Sequence, residues 1–390
     1  MTSRLKKIIA TGLLGALLAL ALAACGGADP TATPTATPKP ADGGTTPAAT
    51  PTPSFDAAAY FKGKTIRLTV GFGQGGGTDA TARFLAANWG EYIPGNPRII
   101  VSNIVPVVTE RNFVWNAKPD GLTLGVEATP GINDEYEAAA EFTMDKVTGI
   151  GSTSGGDQFW VVRGNLGYGC IDTAKGGAGA QITMADGIAS ARDMGSTSFL
   201  TSMLADMLDL NFRAIHVAGD TGSNSQMLML ERGDVNSWTS ATVWNQIPLR
   251  RPGWVADKYI TPFVDMSFSG TSVAPNAEGE FNCKVAQEYL DAADLDTWTG
   301  FNDVRASFAK NIIGPPGIED GVRDALRQAL IDAMADKEFA DGMEKFSGIL
   351  NNFTPGVEFQ AALERMSTFF RANQAEYDSL RDKYYEKFVK

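Results

Sequence analysis

Ile66-Arg67-Leu68-Thr69-Val70-Gly71-Phe72-Gly73-Gln74-Gly75-Gly76-Gly77-Thr78-Asp79-Ala80-Thr81-Ala82-Arg83 reads as a buried strand, a glycine turn and the start of a helix. The strand, Ile66 to Phe72, delivers the chain to three glycines whose lack of Cβ lets backbone N–H groups converge. The helix after Thr78 adds the positive end of its dipole. This is an anion cradle, sized for a carboxylate or phosphate. It must act locally, because 33 Lys plus Arg stand against 45 Asp plus Glu and a net charge of −12 repels small anions at long range. The same balance, with no basic stripe, excludes a nucleic-acid partner.

The beginning of the chain places it outside the cytoplasm. Arg4, Lys6 and Lys7 precede an apolar run from Ile8 to Ala21 and then Leu22-Ala23-Ala24-Cys25-Gly26. This is a basic n-region, a short h-region and a small-residue cleavage point. Leu-Ala-Ala-Cys resembles a bacterial lipoprotein processing signal, which makes residues 1–24 a signal peptide and Cys25 the lipid-bearing first residue of the mature chain. The competing reading is an ordinary secretory signal with Cys25 incidental. From Pro30 to Pro53 the chain is almost entirely Pro, Thr, Ala and Gly, without aromatic or large aliphatic residues. Residues 25–54 therefore read as a tether, extended at about 3.1 Å per residue and so reaching up to roughly 90 Å.

The remainder, from Ser54, is long enough for two ordinary domains. Thr78 to Trp89 reads as helix, Arg98 to Val101 as strand, Glu110 to Asn116 as helix, and Leu122 to Glu127 as strand after the turn Pro119-Asp120-Gly121. This βαβαβ series predicts a mostly parallel sheet covered on both faces. A second α/β unit follows: strand Phe159 to Val162, a helix bearing Leu200, Leu204, Met207 and Leu208, strand Phe212 to Val217, and helix Ser223 to Arg232. Helices close the chain, one around Val322 to Met334 and one around Phe359 to Phe370 after Thr354-Pro355.

In open α/β sheets ligands sit beyond the carboxyl ends of the strands. Four loops there are rich in glycine and hydroxyls: Gly73 to Asp79, Ala128 to Gly131, Gly195 to Ser198, and Gly219 to Ser223. They make Phe72, Gly75, Gly76, Gly77, Thr78, Asp79, Thr129, Gly195, Ser196, Thr197, Thr221 and Ser223 the candidate ligand-binding residues. Each hydroxyl also suits a helix cap, and it is their repetition that favours a site. Asp79 reads first as a partner of the helix dipole and a cap, and as a ligand contact second. Arg83, more than a turn further on, is expected to face solvent or an acidic neighbour.

His216, the sole histidine, lies in the apolar run Phe212 to Ala218 and reads as a strand residue before a ligand or base. Trp238 is a weak lead as a crevice residue, following the strand-like Gly233 to Asn236. Cys170 and Cys283 have two readings, a disulfide or buried free thiols. No metal-ligand spacing and no cofactor motif of full strength is present. Gly71, Gly73 and Gly76 satisfy the dinucleotide fingerprint, yet the second strand ends Val101-Ser102-Asn103 without the acid that would hold a ribose. A nucleotide-binding enzyme is thus the lesser alternative.

The order "IRLTVGFGQGGGTDATAR", "AKPDGLTLGV", "MGSTS", "LERGDVNSW" and "IGPPGIEDGVRDALRQALIDAMADKEF" resembles the substrate-binding proteins of tripartite tricarboxylate transporters, the Bug or TctC-like receptors. The resemblance implies an α/β, periplasmic-binding-protein-like Venus flytrap of two domains joined by two crossovers. The expected domains are 55–155 with 300–390, and 156–299. It further implies a monomeric receptor, not an enzyme, that closes on a small carboxylate such as a di- or tricarboxylate or an aromatic acid. Such a receptor hands its ligand to integral membrane permease subunits, while a lipid at Cys25 ties it to the membrane. A receptor signalling to a membrane sensor is the variant reading. Gly75, Gly76, Gly77, Thr78 and Asp79 match the family's first loop, and Gly195, Ser196 and Thr197 its "GS" loop. Two departures stand out: Gly73-Gln74 where the family carries two prolines, and Pro106-Val107-Val108-Thr109 where it carries a glycine cluster. The second implies bulk on one side of the cleft and an altered ligand.

Overall fold

The computed structural model describes residues 55–390 apart from 156–157, 189–193, 195, 219–222, 241–243, 245–246, 268–280, 307 and 350. The expectations for the signal peptide, Cys25 and the tether lie outside the described residues.

After the short helix α1 (Ala57–Phe61), the predicted series appears as β1 (Thr65–Val70), α2 (Gly77–Asn88), β2 (Arg98–Asn103), α3 (Val107–Trp115) and β3 (Thr123–Glu127). β1 pairs in parallel with β2 and β3, so the three carboxyl ends share one edge. Three strands not foreseen extend this sheet. β4 (Thr148–Ser154) and β10 (Ala309–Gly314) are joined by β11 (Asn351–Pro355), giving the order β11-β4-β10-β3-β1-β2. β10 is antiparallel to β3 and β4, and β11 is antiparallel to β4. Four strands therefore run one way and β10 and β11 the other: a mixed sheet in which most strands are parallel. The chain leaves it after Ser154 and returns at Ala309, and these two residues face each other in the β4–β10 ladder.

Between these points lie two smaller sheets. β5 (Phe159–Arg163) is flanked in antiparallel fashion by β8 (Ser237–Ser240) and β9 (Ile260–Asp265). β6 (Ile182–Ile188) pairs in parallel with β7 (Phe212–Ala218). Helix α4 (Ser196–Met207) follows β6, α5 (Ser223–Arg232) follows β7, and a short turn α6 (Ile247–Arg250) precedes β9. Gly233 to Asn236, read as strand-like, is the turn between α5 and β8, with Gly233 at φ 82°. Trp238 is fully buried, edge-on to Phe159 and Trp254, and belongs to the core and not to a crevice.

Helix α7 (Ala292–Ala306) leads back to β10, and α8 (Asp320–Ala335), α9 (Lys337–Ser347), α10 (Gly356–Ala372) and α11 (Gln374–Tyr384) close the chain. Val322, Leu326, Ala329, Leu330 and Ala333 form the buried stripe of α8, as their helical spacing predicts. The last helices reach beyond the six-stranded sheet. α10 lies on β4, α11 on α4, and the final turn on β7. The largest core consequently collects residues from Val108 to Phe388. Cys170 and Cys283 are joined as a disulfide, with Cα atoms 5.3 Å apart.

Candidate functional site

The three glycines of the cradle have three different physical jobs. Gly75 has φ 82°, a left-handed backbone that any Cβ would strain. Gly77 permits close packing, since a Cβ there would lie 2.9 Å from Ile349 Cδ1. Gly76, the N-cap of α2, has an ordinary φ of −74°, and among the described residues the nearest atom to a Cβ there is Gly73 O at 3.9 Å. Its side-chain hydrogen thus faces space, and no side chain caps the helix. The N–H groups of the first turn have no partner within the helix itself, which makes this end electropositive.

Asp79 is turned away from that space and is 1 % exposed. Its Oδ2 accepts the N–H of Gly75 and Arg83 Nε, each at 2.8 Å, and its Oδ1 accepts Asn103 Nδ2 at 2.9 Å. Asn103 Nδ2 also donates to Phe72 O at 2.9 Å, so β2, the turn and α2 are laced together. Burial pushes the Asp79 carboxyl up, but the bonds from Arg83, Gly75 and Asn103 outweigh it and hold the group below its ordinary value. Arg83 therefore meets the acidic neighbour expected for it. The Phe72 side chain packs on the core beneath β1, and Thr78 is buried in the first turn of α2.

The second loop is held from below. Arg111 on α3 is buried, bonds Glu127 Oε2 at 2.9 Å, contacts Asp134, and donates to Thr129 O at 3.4 Å. Gly131, at φ 68°, gives the guanidinium its room. Glu110 completes the cluster by accepting a bond from Thr69 Oγ1. Burial, then the charge of Glu127, push the Glu110 carboxyl well above its ordinary value. Burial lowers the Arg111 value, but Glu127 and Asp134 reverse this, and the group stays charged. The cluster thus fixes Thr129 through its backbone.

Loops three and four end at helix starts, Ser196 for α4 and Ser223 for α5. Gly195, Thr221 and the side chains of Ser196 and Ser223 lie outside the described residues, while Thr197 is half-buried in the first turn of α4. One contact ties the fourth loop to the first. A Cβ on Gly75 would lie 2.8 Å from Nδ2 of Asn224, the second residue of α5. The first turns of α2 and α5 therefore meet at the cradle.

Lys310, the second residue of β10, is 3 % exposed with φ 54°, and its Cε lies 3.9 Å from the Cβ position of Gly77. Asn224, which sequence reasoning did not single out, is the residue that approaches Gly75. His216 is a strand residue of β7, 3.2 Å from Asp186 on β6, with its ring 5.5 Å from that of Tyr385 and tilted against it. Among the described residues no group of three or more His, Cys, Asp or Glu side chains could hold a metal ion, and no helix is long and apolar enough to cross a membrane.

No family model and no curated protein matches the chain. Solved structures do. The periplasmic binding protein BugD is 16 % identical over 84 % of this chain and 99 % of its own, with a TM-score of 0.57. A Rhodopseudomonas palustris protein determined with adipate is 14 % identical over 82 % of this chain and 97 % of its own, with a TM-score of 0.57. MatC of the same organism, with bound malate, is 13 % identical over 82 % of this chain and 99 % of its own, with a TM-score of 0.55. At such identities the likeness shows the fold alone, which is that of the two-domain periplasmic binding proteins.

Proposed function

We propose that this chain, which has the fold of the Bug-type periplasmic solute-binding proteins, is an extracytoplasmic receptor that closes on a small carboxylate. The observation that carries the reading is the meeting of two helix starts, α2 and α5, at Gly75 and Asn224. The positive ends of two helix dipoles then lie close together, and hydrogen bonds to a desolvated carboxylate are the strong kind. Adipate and malate, the ligands in two structures of like fold, are both small dicarboxylates. The ligand class is accordingly a dicarboxylate or close relative, and binding needs no chemistry of bond making or breaking.

In this reading the receptor belongs to a tripartite tricarboxylate-type transporter, held to the membrane by lipid on Cys25 and presenting its ligand to permease subunits. Only a partner that prefers the closed form can sense occupancy, so closure is the transmitted signal. Residues 55–155 with 300–390, and 156–299, are the two bodies that close.

The test is a thermal-melt titration against dicarboxylates, tricarboxylates, aromatic acids, amino acids and nucleotides. A ligand at a hundred times its Kd stabilises by about 2.7 kcal/mol. Stabilisation by a carboxylate is the expected result. Stabilisation by nucleotides alone would overturn the reading. Replacing Cys25 by Ser should move the protein from the membrane to the soluble fraction.

A further inference from the structure

Three buried apolar clusters hold the chain together. One takes residues from Phe61 to Ile150 and from Ile312 to Met343. A second takes residues from Phe159 to Ile260. The third and largest draws on both stretches and on the last helices, so it joins the two bodies, while the first two remain separate clusters. These two are linked by contacts at their surfaces. Gly75 with Asn224 is one such contact, since α5 belongs to the second cluster through Met227 and Leu230.

Arg250 makes another. It ends α6, which Ile247 anchors in the second cluster, and its Nη2 donates to the carbonyl of Ser347 in the last turn of α9. α9 is held in the first cluster by Phe339 and Met343. Gly348 prepares the place for the guanidinium. It ends α9 in a left-handed backbone, φ 70°, and returns its N–H to Glu344 O at 2.8 Å. A Cβ on it would lie 3.0 Å from Arg250 Nη2 and 3.4 Å from Nε, so glycine gives the cation its room.

A positive charge at the carbonyl end of α9 complements the helix dipole. Arg251, the next residue, turns instead to Glu231 on α5 at 2.7 Å, within its own body. The two neighbouring arginines thus do different work. Because Arg250 bonds a carbonyl, breaking its contact strands no buried carboxylate on the other side, which suits a surface that opens and closes. We propose that Arg250 is a latch across the cleft, its guanidinium on Ser347 O holding α6 against α9, favouring the closed form and slowing ligand release. The inference rests on the receptor reading above and adds a residue, outside the four loops, that sets how often the cleft is open. Apparent affinity scales with the populated fraction of the binding-competent form, so such a residue tunes binding without touching the ligand.

Hydrogen exchange of the full chain without ligand, read peptide by peptide by mass spectrometry, tests it. Arg250→Met, which keeps the stem, is expected to speed exchange at the end of α9 and also in the first turns of α2 and α5, with α8 and β4 unchanged. Gly348→Asn tolerates the left-handed backbone and crowds the guanidinium from the other side. It is expected to act in the same way, and it replaces the Met variant if that one does not fold. Faster exchange confined to the end of α9, or no change, overturns the latch. Calorimetry with malate and adipate gives the second readout, an affinity about 10-fold weaker in Arg250→Met. Binding within twofold of wild type would also overturn it and leave the receptor reading standing. If the wild-type chain binds neither acid, the receptor reading falls, while the exchange comparison still decides whether Arg250 holds the two clusters together.

Discussion

The backbone N–H of Gly75 donates to Asp79 Oδ2 at 2.8 Å, so the helix that follows the cradle reaches back to fix the turn before it. Asp79→Ala removes the acceptor that the Gly75 N–H, Arg83 and Asn103 share, leaving Asn103 bonded to Phe72 O, and is expected to destabilise by about 1–3 kcal/mol. Arg83 is 43 % exposed at its side chain, so Arg83→Ala should cost under about 1 kcal/mol. Chemical denaturation of the two variants checks the ordering. Equal losses would mean that the ion pair, and not the amide bond, holds the turn.

The glycines should separate folding from binding. Gly75→Ala forces a Cβ into a left-handed backbone and toward Asn224, and is expected to destabilise by about 1–3 kcal/mol. Gly77→Ala meets the mobile end of Ile349 and should cost less, about 1 kcal/mol. Gly76→Ala meets no described atom closer than 3.9 Å and should leave the melting temperature unchanged while lowering carboxylate affinity. Melting and calorimetry on the same three proteins test this, and a Gly76→Ala variant with full affinity would remove that residue from the site.

Glu110 should give stability a pH dependence of unusual sign for a carboxylate. The folded-state value of Glu110 is raised above that of the unfolded chain, about 4.3, because burial and Glu127 disfavour its charge. Its contribution is therefore complete below about pH 4.3 and is lost as pH rises through the folded value. Glu110→Gln, which keeps a neutral polar group, is expected to flatten stability on the alkaline side. Glu127→Gln instead leaves Arg111 with Asp134 alone, and should cost about 3–5 kcal/mol. Asp79 acts in the opposite sense: its lowered value gives stability present above about pH 3.9 and lost as the pH falls further. Denaturant midpoints between pH 3 and pH 9 distinguish these terms.

The bond between Cys170 and Cys283 closes a loop spanning a sequence separation of 113 residues. Its loss in a Cys170→Ser, Cys283→Ser double variant is expected to destabilise by about 2–4 kcal/mol, chiefly by freeing the unfolded chain. The comparison to make is with the wild-type protein under reducing conditions, which should fall by a similar amount.

The parts of the fold legible in the sequence are those where local signals agree. β1, α2, β2, α3 and β3 show apolar periodicity punctuated by glycine and proline, and α5 begins and ends at the residues its pattern indicates. β4 is different. Thr148-Gly149-Ile150-Gly151-Ser152-Thr153-Ser154 carries one large apolar residue, yet all seven positions are buried, because β10 and β11 flank it and α8 and α10 cover it. Its strand character comes from the tertiary setting and not from propensity. The site divides in the same way. The cradle is local and readable, whereas Arg111, Glu127 and Asp134 meet only once α3 lies across β3, and Asn224 reaches Gly75 only through the tertiary fold.

The core that gathers residues from Val108 to Phe388 also sets a timetable for biosynthesis. A chain emerging from its N-terminus can pair β6 with β7 early, but Phe199 and Phe212 find Tyr377, Tyr384 and Phe388 only when the final turn is made. Until then those rings are open to water and to one another on neighbouring chains. Completion of this half is thus a late event, and the nascent protein presents its stickiest surface in the interval when a holding chaperone is of most use.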